Sequence, residues 1–176
     1  MTYYFKYDTP LGRVTVAGCD KGITGLWFDG QKYYGAGLAP DSRECEADVF
    51  VEAKKWLNIY FSGRNPDFTP PLLLSGSSFR MAVWDKLKAI PYGTTVTYGE
   101  IARSVAAKTG ARVSAQAVGG AVGRNPVSII IPCHRVVGAD GSLTGYAGGV
   151  DKKLALLKIE GADVSRFFLP SERTAL

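Results

Sequence analysis

Histidine is almost missing from this chain: His134 is the single one among 176 residues. Cysteine is sparse as well, with only Cys19, Cys45 and Cys133. A structural zinc site usually takes four Cys or His ligands. Such a site would have to use all of these residues, including the adjacent Cys133-His134 pair, so no metal is expected. An odd number of cysteines fits free thiols in a reducing compartment. No apolar run approaches the roughly 18 residues needed to span a bilayer. The opening Met1-Thr2-Tyr3-Tyr4-Phe5-Lys6 lacks the basic start and apolar core of a signal peptide. The expectation is a cytoplasmic protein, or a nuclear one if the source is eukaryotic, with no membrane partner. Internal repeats and low-complexity segments are absent too.

What is present is an ordinary globular composition, 46% hydrophobic and 21% charged. The net charge of +5 is unevenly placed. Residues 1–77 hold 8 basic and 9 acidic side chains, net −1, while residues 78–176 hold 13 and 7, net +6. A polyanion partner for the second half is one reading of that asymmetry; a solvated basic surface is the other.

The first half reads as short strands over 3–7, 13–17 and 23–28, rich in β-branched and aromatic residues and separated by turn sequences. They predict a small antiparallel meander. Val49, Trp56 and Tyr60 follow helical spacing, which predicts a helix over 46–61. A linker spans 68–78. The second half is mainly helical. Phe79, Val83, Leu87 and Ile90 form a helical stripe stopped by Pro91-Tyr92-Gly93. Thr97 and Glu100 form a capping box opening a short helix to about 107, and another follows over 115–122. Two short helices joined by a tight turn resemble a helix-turn-helix. The second is built almost wholly of small residues, Ala115, Ala117, Gly119, Gly120 and Ala121. Close packing on a neighbouring helix accounts for that equally with a thin helix able to press into a groove. Residues 127–131 read as a buried extended segment, 138–149 as a glycine-rich loop, and 151–159 as a final amphipathic helix. The fold class is therefore α/β (α+β), with an N-terminal domain over 1–77 and a C-terminal domain over 78–176.

Cys133 beside the only histidine is the clearest chemical signal. The thiolate is the reactive form, and three devices near Cys133 can favour it: His134, Arg135 and a helix N-terminus. They predict a Cys133 pKa well below the free value. Neighbouring residues of an extended chain point to opposite sides, so His134 reaches Cys133 through a turn or a bridging water.

Ile131-Pro132-Cys133-His134-Arg135-Val136-Val137-Gly138 closely resembles the active-site signature of the O6-alkylguanine-DNA alkyltransferases. The resemblance runs from about Phe79 to Gly161. It includes Pro91-Tyr92-Gly93, Thr97-Tyr98-Gly99-Glu100-Ile101-Ala102, Ala117-Val118-Gly119-Gly120-Ala121, Asn125-Pro126, Gly145-Tyr146-Ala147-Gly148-Gly149 and Leu156–Gly161. It implies stoichiometric transfer of an alkyl group from O6 of guanine, and O4 of thymine, in duplex DNA to the protein's own cysteine. The nucleotide is turned out of the stack first, because the alkyl carbon lies inside a paired duplex. No cofactor is implied. The partner implied is double-stranded DNA, met through its minor groove by a monomer that is able to cooperate with neighbours.

Residue by residue, the resemblance makes Cys133 the alkyl acceptor and His134 the base acting through water. Glu160 becomes the carboxylate that orients His134, and Tyr98 a proton donor to the leaving base. Asn125 is the hinge residue. Val136, Tyr146, Ala147 and Gly148 wall the base pocket, with Lys153 close by. Arg124 and Arg135 join the residues around DNA and base, although Arg135 also reads as pairing with polar groups behind the site. Two positions depart from the family. Gln116 stands where an arginine usually enters the DNA stack; it lacks the charge and stacking plane of a guanidinium, and Arg112 or Arg124 are the nearby substitutes. Ala147 stands where some relatives have serine, and a backbone N–H remains there. A cysteine hydrolase would need a histidine elsewhere in the chain. A damaged-base sensor of the same family would lack Cys133. A redox sensor would leave the tyrosine, glycine and helix-turn-helix features unexplained.

Overall fold

A computed structural model describes residues 1–170. The chain forms two compact units. One contains Met1–Ser75 together with Pro126–Ile130; the other contains Gly76–Asn125 and, among the described residues, 131–170. The contiguous split at 77/78 does not include that return of 126–130 to the first unit.

In the first unit, β1 (Tyr3–Thr9), β2 (Gly12–Cys19) and β3 (Gly22–Phe28) form the antiparallel meander, in sheet order β3-β2-β1-β4. The edge strand β4 (Arg43–Glu44), which has no sequence signal of its own, runs parallel to β1. Phe5 pairs with Val16, and Val16 with Leu26, so these side chains share one face. The helix α1 (Phe50–Phe61) covers that face, with the Phe50 ring tilted against Phe5 at 4.7 Å between centroids. It begins four residues later than the predicted 46, because Cys45 N still donates to Tyr4 O along the sheet edge. On the other face Tyr34 covers Thr15 and Trp27. Gly25 lies beneath the Trp27 ring, where a Cβ would fall 1.9 Å from it.

The segment 127–131 is buried as expected but is not an extended run. Leu26 N donates to Pro126 O and Ser128 N to Leu26 O, giving a single bridge at Val127. A turn follows in which Ile129 takes φ 71°. Its β-branched residues carry a strand signal, yet two backbone bonds to Leu26 are all the sheet offers them.

The second unit is built on α2 (Ser78–Lys88), α3 (Tyr98–Thr109) and α4 (Ala115–Val122), which pack on one another through Trp84, Val105, Val118 and Val122. Trp84 also donates from Nε1 to Ala121 O at 2.9 Å. The capping box is formed: Thr97 Oγ1 accepts from Glu100 N and Glu100 Oε2 accepts from Thr97 N. Gly110 at φ 70° ends α3 two residues beyond the predicted 107. Ser114 caps α4 by accepting from Ala117 N. A short parallel pair, β5 (Val96–Thr97) with β6 (Val136–Val137), ties the start of α3 to the chain after Cys133. The last helix, α5 (Val150–Ile159), packs Leu154 and Leu157 with Val137 and Leu143. Among the described residues no helix is long and apolar enough to cross a membrane.

The two readings of α4 now separate. Ala115, Gln116, Ala117 and Gly120 are exposed. A Cβ at Gly120 would meet nothing within 4 Å, and one at Gly119 only the Tyr98 ring at an ordinary 3.9 Å. Packing therefore does not require either glycine, and the small residues leave a bare outer face.

Candidate active site

Cys133 begins a single 3-10 turn, Cys133–Arg135, entered from Pro132. The turn replaces the extended geometry that would send Cys133 and His134 to opposite sides. Cys133 N donates to Ile131 O at 2.8 Å, and Asn125 Nδ2 donates to the same carbonyl at 2.8 Å. The buried Asn125 thus clamps the point where the chain re-enters the second unit. Its side chain and the backbone N–H groups of Cys133 and His134 also favour negative charge on the sulfur.

The thiol is nonetheless pushed up from its ordinary pKa by burial, against the pull of Asn125, the Lys153 charge and those N–H groups. This corrects the sequence expectation of a depressed value. Desolvation of a sulfur that is only 5% exposed outweighs its partners. Arg135 is no help to the sulfur, because its charge is engaged elsewhere. The resting group is a thiol.

His134 is fully buried. Its Nε2 lies 2.6 Å from Glu160 Oε1. Burial lowers its pKa, with Glu160 pulling the other way, so the resting ring is neutral. An ionised carboxylate only accepts hydrogen bonds. Nε2 therefore carries the proton, and Nδ1 is the basic nitrogen.

Glu160 caps the end of α5 and is gripped on all sides. Arg135 donates from Nε to Oε2 at 2.8 Å and from Nη2 to Oε1 at 3.0 Å; Gly93 N donates to Oε2 at 3.0 Å. Burial raises its pKa, but the hydrogen bonds from His134 and Arg135 and the Arg135 charge prevail and hold it at about 2. Arg135 also donates from Nη1 to Ile90 O at 2.6 Å. With 7% exposure it meets the carboxylate and not an outside partner, in keeping with its reading as a residue behind the site.

The glycine-rich loop forms the other side. Thr144 O accepts from both Tyr98 Oη at 3.0 Å and Lys153 Nζ at 2.7 Å. Gly145 takes φ 72°, and a Cβ there would strike Tyr98 Oη at 2.9 Å. Burial raises the Tyr98 pKa to about 12, so its phenol stays protonated. Burial lowers Lys153 to about 8, opposed by Cys133. Tyr146 is buried with its ring edge-on to His134 at 6.5 Å. Val136 is buried in β6, and Ala147 and Gly148 are half-buried in the loop. Gln116 and Arg124 are exposed, on and just after α4, apart from this buried cluster.

Sequence reasoning missed the work of Pro91-Tyr92-Gly93. Gly93 adopts φ 73°, supplies an N–H to Glu160, and approaches so closely that a Cβ would lie 2.9 Å from Glu160 O. The signal was a glycine after Pro-Tyr at a helix end. Thr144 went unnoticed because only its carbonyl acts. Among the described residues no group of three or more His, Cys, Asp or Glu side chains converges as a metal site would need.

Comparison with known proteins completes the picture. Residues 78–162 match the 6-O-methylguanine DNA methyltransferase, DNA binding domain, and residues 2–74 match the 6-O-methylguanine DNA methyltransferase, ribonuclease-like domain. A methylated-DNA--protein-cysteine methyltransferase of Methanosarcina acetivorans is 44% identical over 161 residues, covering 91% of this chain and 99% of its own. One from Mycobacterium tuberculosis is 43% identical over 162 residues, covering 91% and 93%. The crystal structure of Mycobacterium tuberculosis OGT in complex with DNA superposes with a TM-score of 0.80 at 41% identity, covering 94% of each chain. With both of its halves matched in order and such relatives aligned over nearly their whole length, the chain belongs to the 6-O-methylguanine DNA methyltransferase family.

Proposed function

We propose that this protein repairs DNA directly, moving an alkyl group, methyl foremost, from O6 of guanine or O4 of thymine in a duplex onto Cys133 Sγ, once per molecule. The observation that carries this reading is the buried line of groups behind the sulfur: a neutral His134 ordered by an ionised Glu160, itself held by Arg135 and Gly93. A protonated thiol beside a neutral imidazole is a reactant pair, not a spent one. His134 Nδ1 takes the thiol proton, through a water, as the nucleophile is needed, and Glu160 stabilises the imidazolium that results. The new thiolate displaces the base at the alkyl carbon. An S–C bond forms, the C–O bond breaks with its electron pair left on oxygen, and Tyr98 donates a proton to the departing base. A phenol with a pKa of about 12 is still protonated when that donation is required. The thioether has no hydrolytic exit, which makes the protein single-turnover.

The bare face of α4 and the basic second half support DNA as the partner, approached through the minor groove. Asn125 serves as the hinge between the helix-turn-helix and the cysteine turn. Val136, Tyr146, Ala147 and Gly148 receive the base, with Lys153 adjacent, and Gln116 and Arg124 face the duplex. We assign DNA handling and chemistry to residues 78–176 and leave 1–77 a supporting domain. The protein acts as a monomer, cooperatively where neighbours bind, in the compartment that holds the DNA.

The test is incubation with a duplex containing O6-methylguanine, followed by intact mass and peptide mapping. One methyl per chain on Cys133 is the expected product. Continued release beyond one equivalent would mean a hydrolase. Cys133→Ser should lose transfer and keep DNA binding.

A further inference from the structure

The chain beyond α5 takes no part in the transfer chemistry, yet it is tied to the loop that carries Thr144. Asp163 starts a turn by accepting from Ser165 N at 3.0 Å and from Ser165 Oγ at 2.7 Å. Val164 and Phe167 then pack against the buried Val137, Leu143 and Leu157. Phe168 follows, and its backbone forms a parallel bridge at Ser142. Phe168 N donates to Gly141 O at 3.2 Å, and Leu143 N donates to Phe168 O at 3.0 Å. The approach is close: Gly141 takes φ 88°, and a Cβ there would fall 2.6 Å from Arg166 O. A loop this rich in glycine has wide conformational freedom and needs such a tie. Its bonds over 138–142, from Gly138 N to Ser142 O and from Ser142 N to Asp140 Oδ1, close on the loop itself. Thr144 nonetheless offers one carbonyl to side chains of two helices, Tyr98 of α3 at 3.0 Å and Lys153 of α5 at 2.7 Å. The carbonyl serves both only if it is held in one place. A path of contacts therefore runs from Phe168 O to Leu143 N, on to the adjacent Thr144 carbonyl, and from there to the Tyr98 hydroxyl. The Phe168 ring does not make the tie, since this residue is 48% exposed; its backbone does.

We propose that residues 163–169 are a strap whose Phe168 backbone positions the Thr144 carbonyl, and through it the Tyr98 hydroxyl, for proton donation to the departing base. This rests on the alkyltransferase reading of Cys133. Phe168 is a positioning residue: it acts through Leu143, Thr144 and Tyr98, and not on the reacting atoms. A loosened strap lets the Thr144 carbonyl drift, and Tyr98 and the walls at Tyr146, Ala147 and Gly148 lose their register with it. Cys133 lies off this path. Its turn is clamped by the bond from Asn125 to Ile131 O, and His134 is ordered by Glu160. The strap thus acts on the side of the base and leaves the thiol as it is.

The experiment compares wild type with Phe168→Pro and Phe168→Ala. Proline has no N–H to give Gly141 O; alanine keeps the whole backbone and loses only the half-exposed ring. Gly141→Ala attacks the same contact from the loop side, and decides the matter should Phe168→Pro not fold. Three measurements are taken: hydrogen exchange by mass spectrometry over 141–149, single-turnover transfer from both an O6-methylguanine duplex and free O6-methylguanine, and the pH profile of iodoacetamide alkylation at Cys133, read by peptide mapping so that Cys19 and Cys45 do not interfere. Misplacing a reacting group by about 1 Å costs up to roughly a hundredfold in rate. The expected result for Phe168→Pro and Gly141→Ala is faster exchange over 141–149, transfer slowed by roughly ten- to a hundredfold on both substrates, and an unmoved Cys133 profile. Phe168→Ala should match wild type in all three. Faster exchange with undiminished transfer overturns the proposal, because the loop is then held without bearing on the reaction. Unchanged exchange overturns it at the premise. Transfer slowed as much by Phe168→Ala also overturns it, since the ring and not the backbone would be acting, and so does a displaced Cys133 profile, which would place the effect on the sulfur. If wild type transfers no methyl at all, the alkyltransferase reading falls, and the exchange rates still decide whether the strap holds the loop.

Discussion

Four donors converge on the carboxylate of Glu160, and that saturation makes it the most sensitive side chain in the second unit. Glu160→Gln would turn one acceptor oxygen into an NH2 group facing Arg135 or His134. Breaking such a buried pair typically costs about 3–5 kcal/mol. The expected outcome is a large fall in the urea midpoint and a transfer rate lowered by roughly a hundredfold or more, since His134 loses its orienting charge. Undiminished transfer would remove the relay. The pH dependence has a definite sign. Glu160 has a folded pKa of about 2, below its ordinary value of 4.5. Its stabilisation is thus present above about 4.5 and fades as pH falls toward 2. His134 is lowered from 6.5. Acidification below 6.5 therefore adds protons to the unfolded chain first and also weakens the fold. Unfolding midpoints should decline steadily from neutral pH downward, and His134→Gln should flatten the upper part of that decline. Lys153 differs in kind. It is fully buried and its pKa is lowered to about 8 by burial, so charge at neutral pH opposes folding. Lys153→Met should raise the thermal midpoint while slowing transfer, and a lowered midpoint would show that the bond to Thr144 O outweighs desolvation.

Elements with strong local signals were legible in the sequence. The capping box at Thr97 and Glu100 fixed the start of α3, and α4 matches its predicted span of 115–122 residue for residue. What failed was decided by distant partners. The pairing of β4 with β1 depends on residues some forty positions apart, and the turn at 127–131 depends on Leu26. In the site, Cys133, His134 and Glu160 were readable because a motif carries them; the rise in the Cys133 pKa was not, because burial is a tertiary property. The bare outer face of α4 leads to a prediction at Gln116. The glutamine is exposed at the second position of this helix, flanked by alanines. If it is the side chain that enters the stack, it does so without stacking plane or charge. Gln116→Arg should then speed reaction with duplex DNA and leave reaction with free O6-alkylguanine unchanged, as the free base needs no flipping. Gln116→Lys adds charge without the planar group. Equal gains from both would assign the deficit to electrostatics alone, and no gain from either would move the wedge to Arg112 or Arg124.

The whole molecule divides its charge unevenly, net −1 over residues 1–77 and +6 over 78–176. For a DNA-binding protein this asymmetry makes a quantitative demand. Each phosphate neutralised releases counterions, so the logarithm of affinity falls with the logarithm of salt concentration by about 0.9 per phosphate contact on duplex DNA. Lys108 and Arg112 are exposed where α3 turns into α4, beside the bare face. Lys6 on β1 and Lys21 in the turn between β2 and β3 are exposed and belong to the slightly acidic first half. Removing the first pair as Lys108→Ala with Arg112→Ala should weaken binding at low salt and make the salt slope shallower by about two, one for each lost phosphate contact. Removing Lys6 and Lys21 in the same way should leave the slope as it was. Fluorescence anisotropy with an undamaged duplex across a salt series measures both, and the undamaged duplex separates binding from reaction. The affinity should be nearly independent of sequence, since alanine and glycine on the outer face of α4 offer no side chain to read base edges. A slope altered equally by both pairs would mean that the charge acts only as a diffuse field. A strong preference for one undamaged sequence would place base-reading side chains elsewhere in the second unit and take the duplex off the bare face of α4.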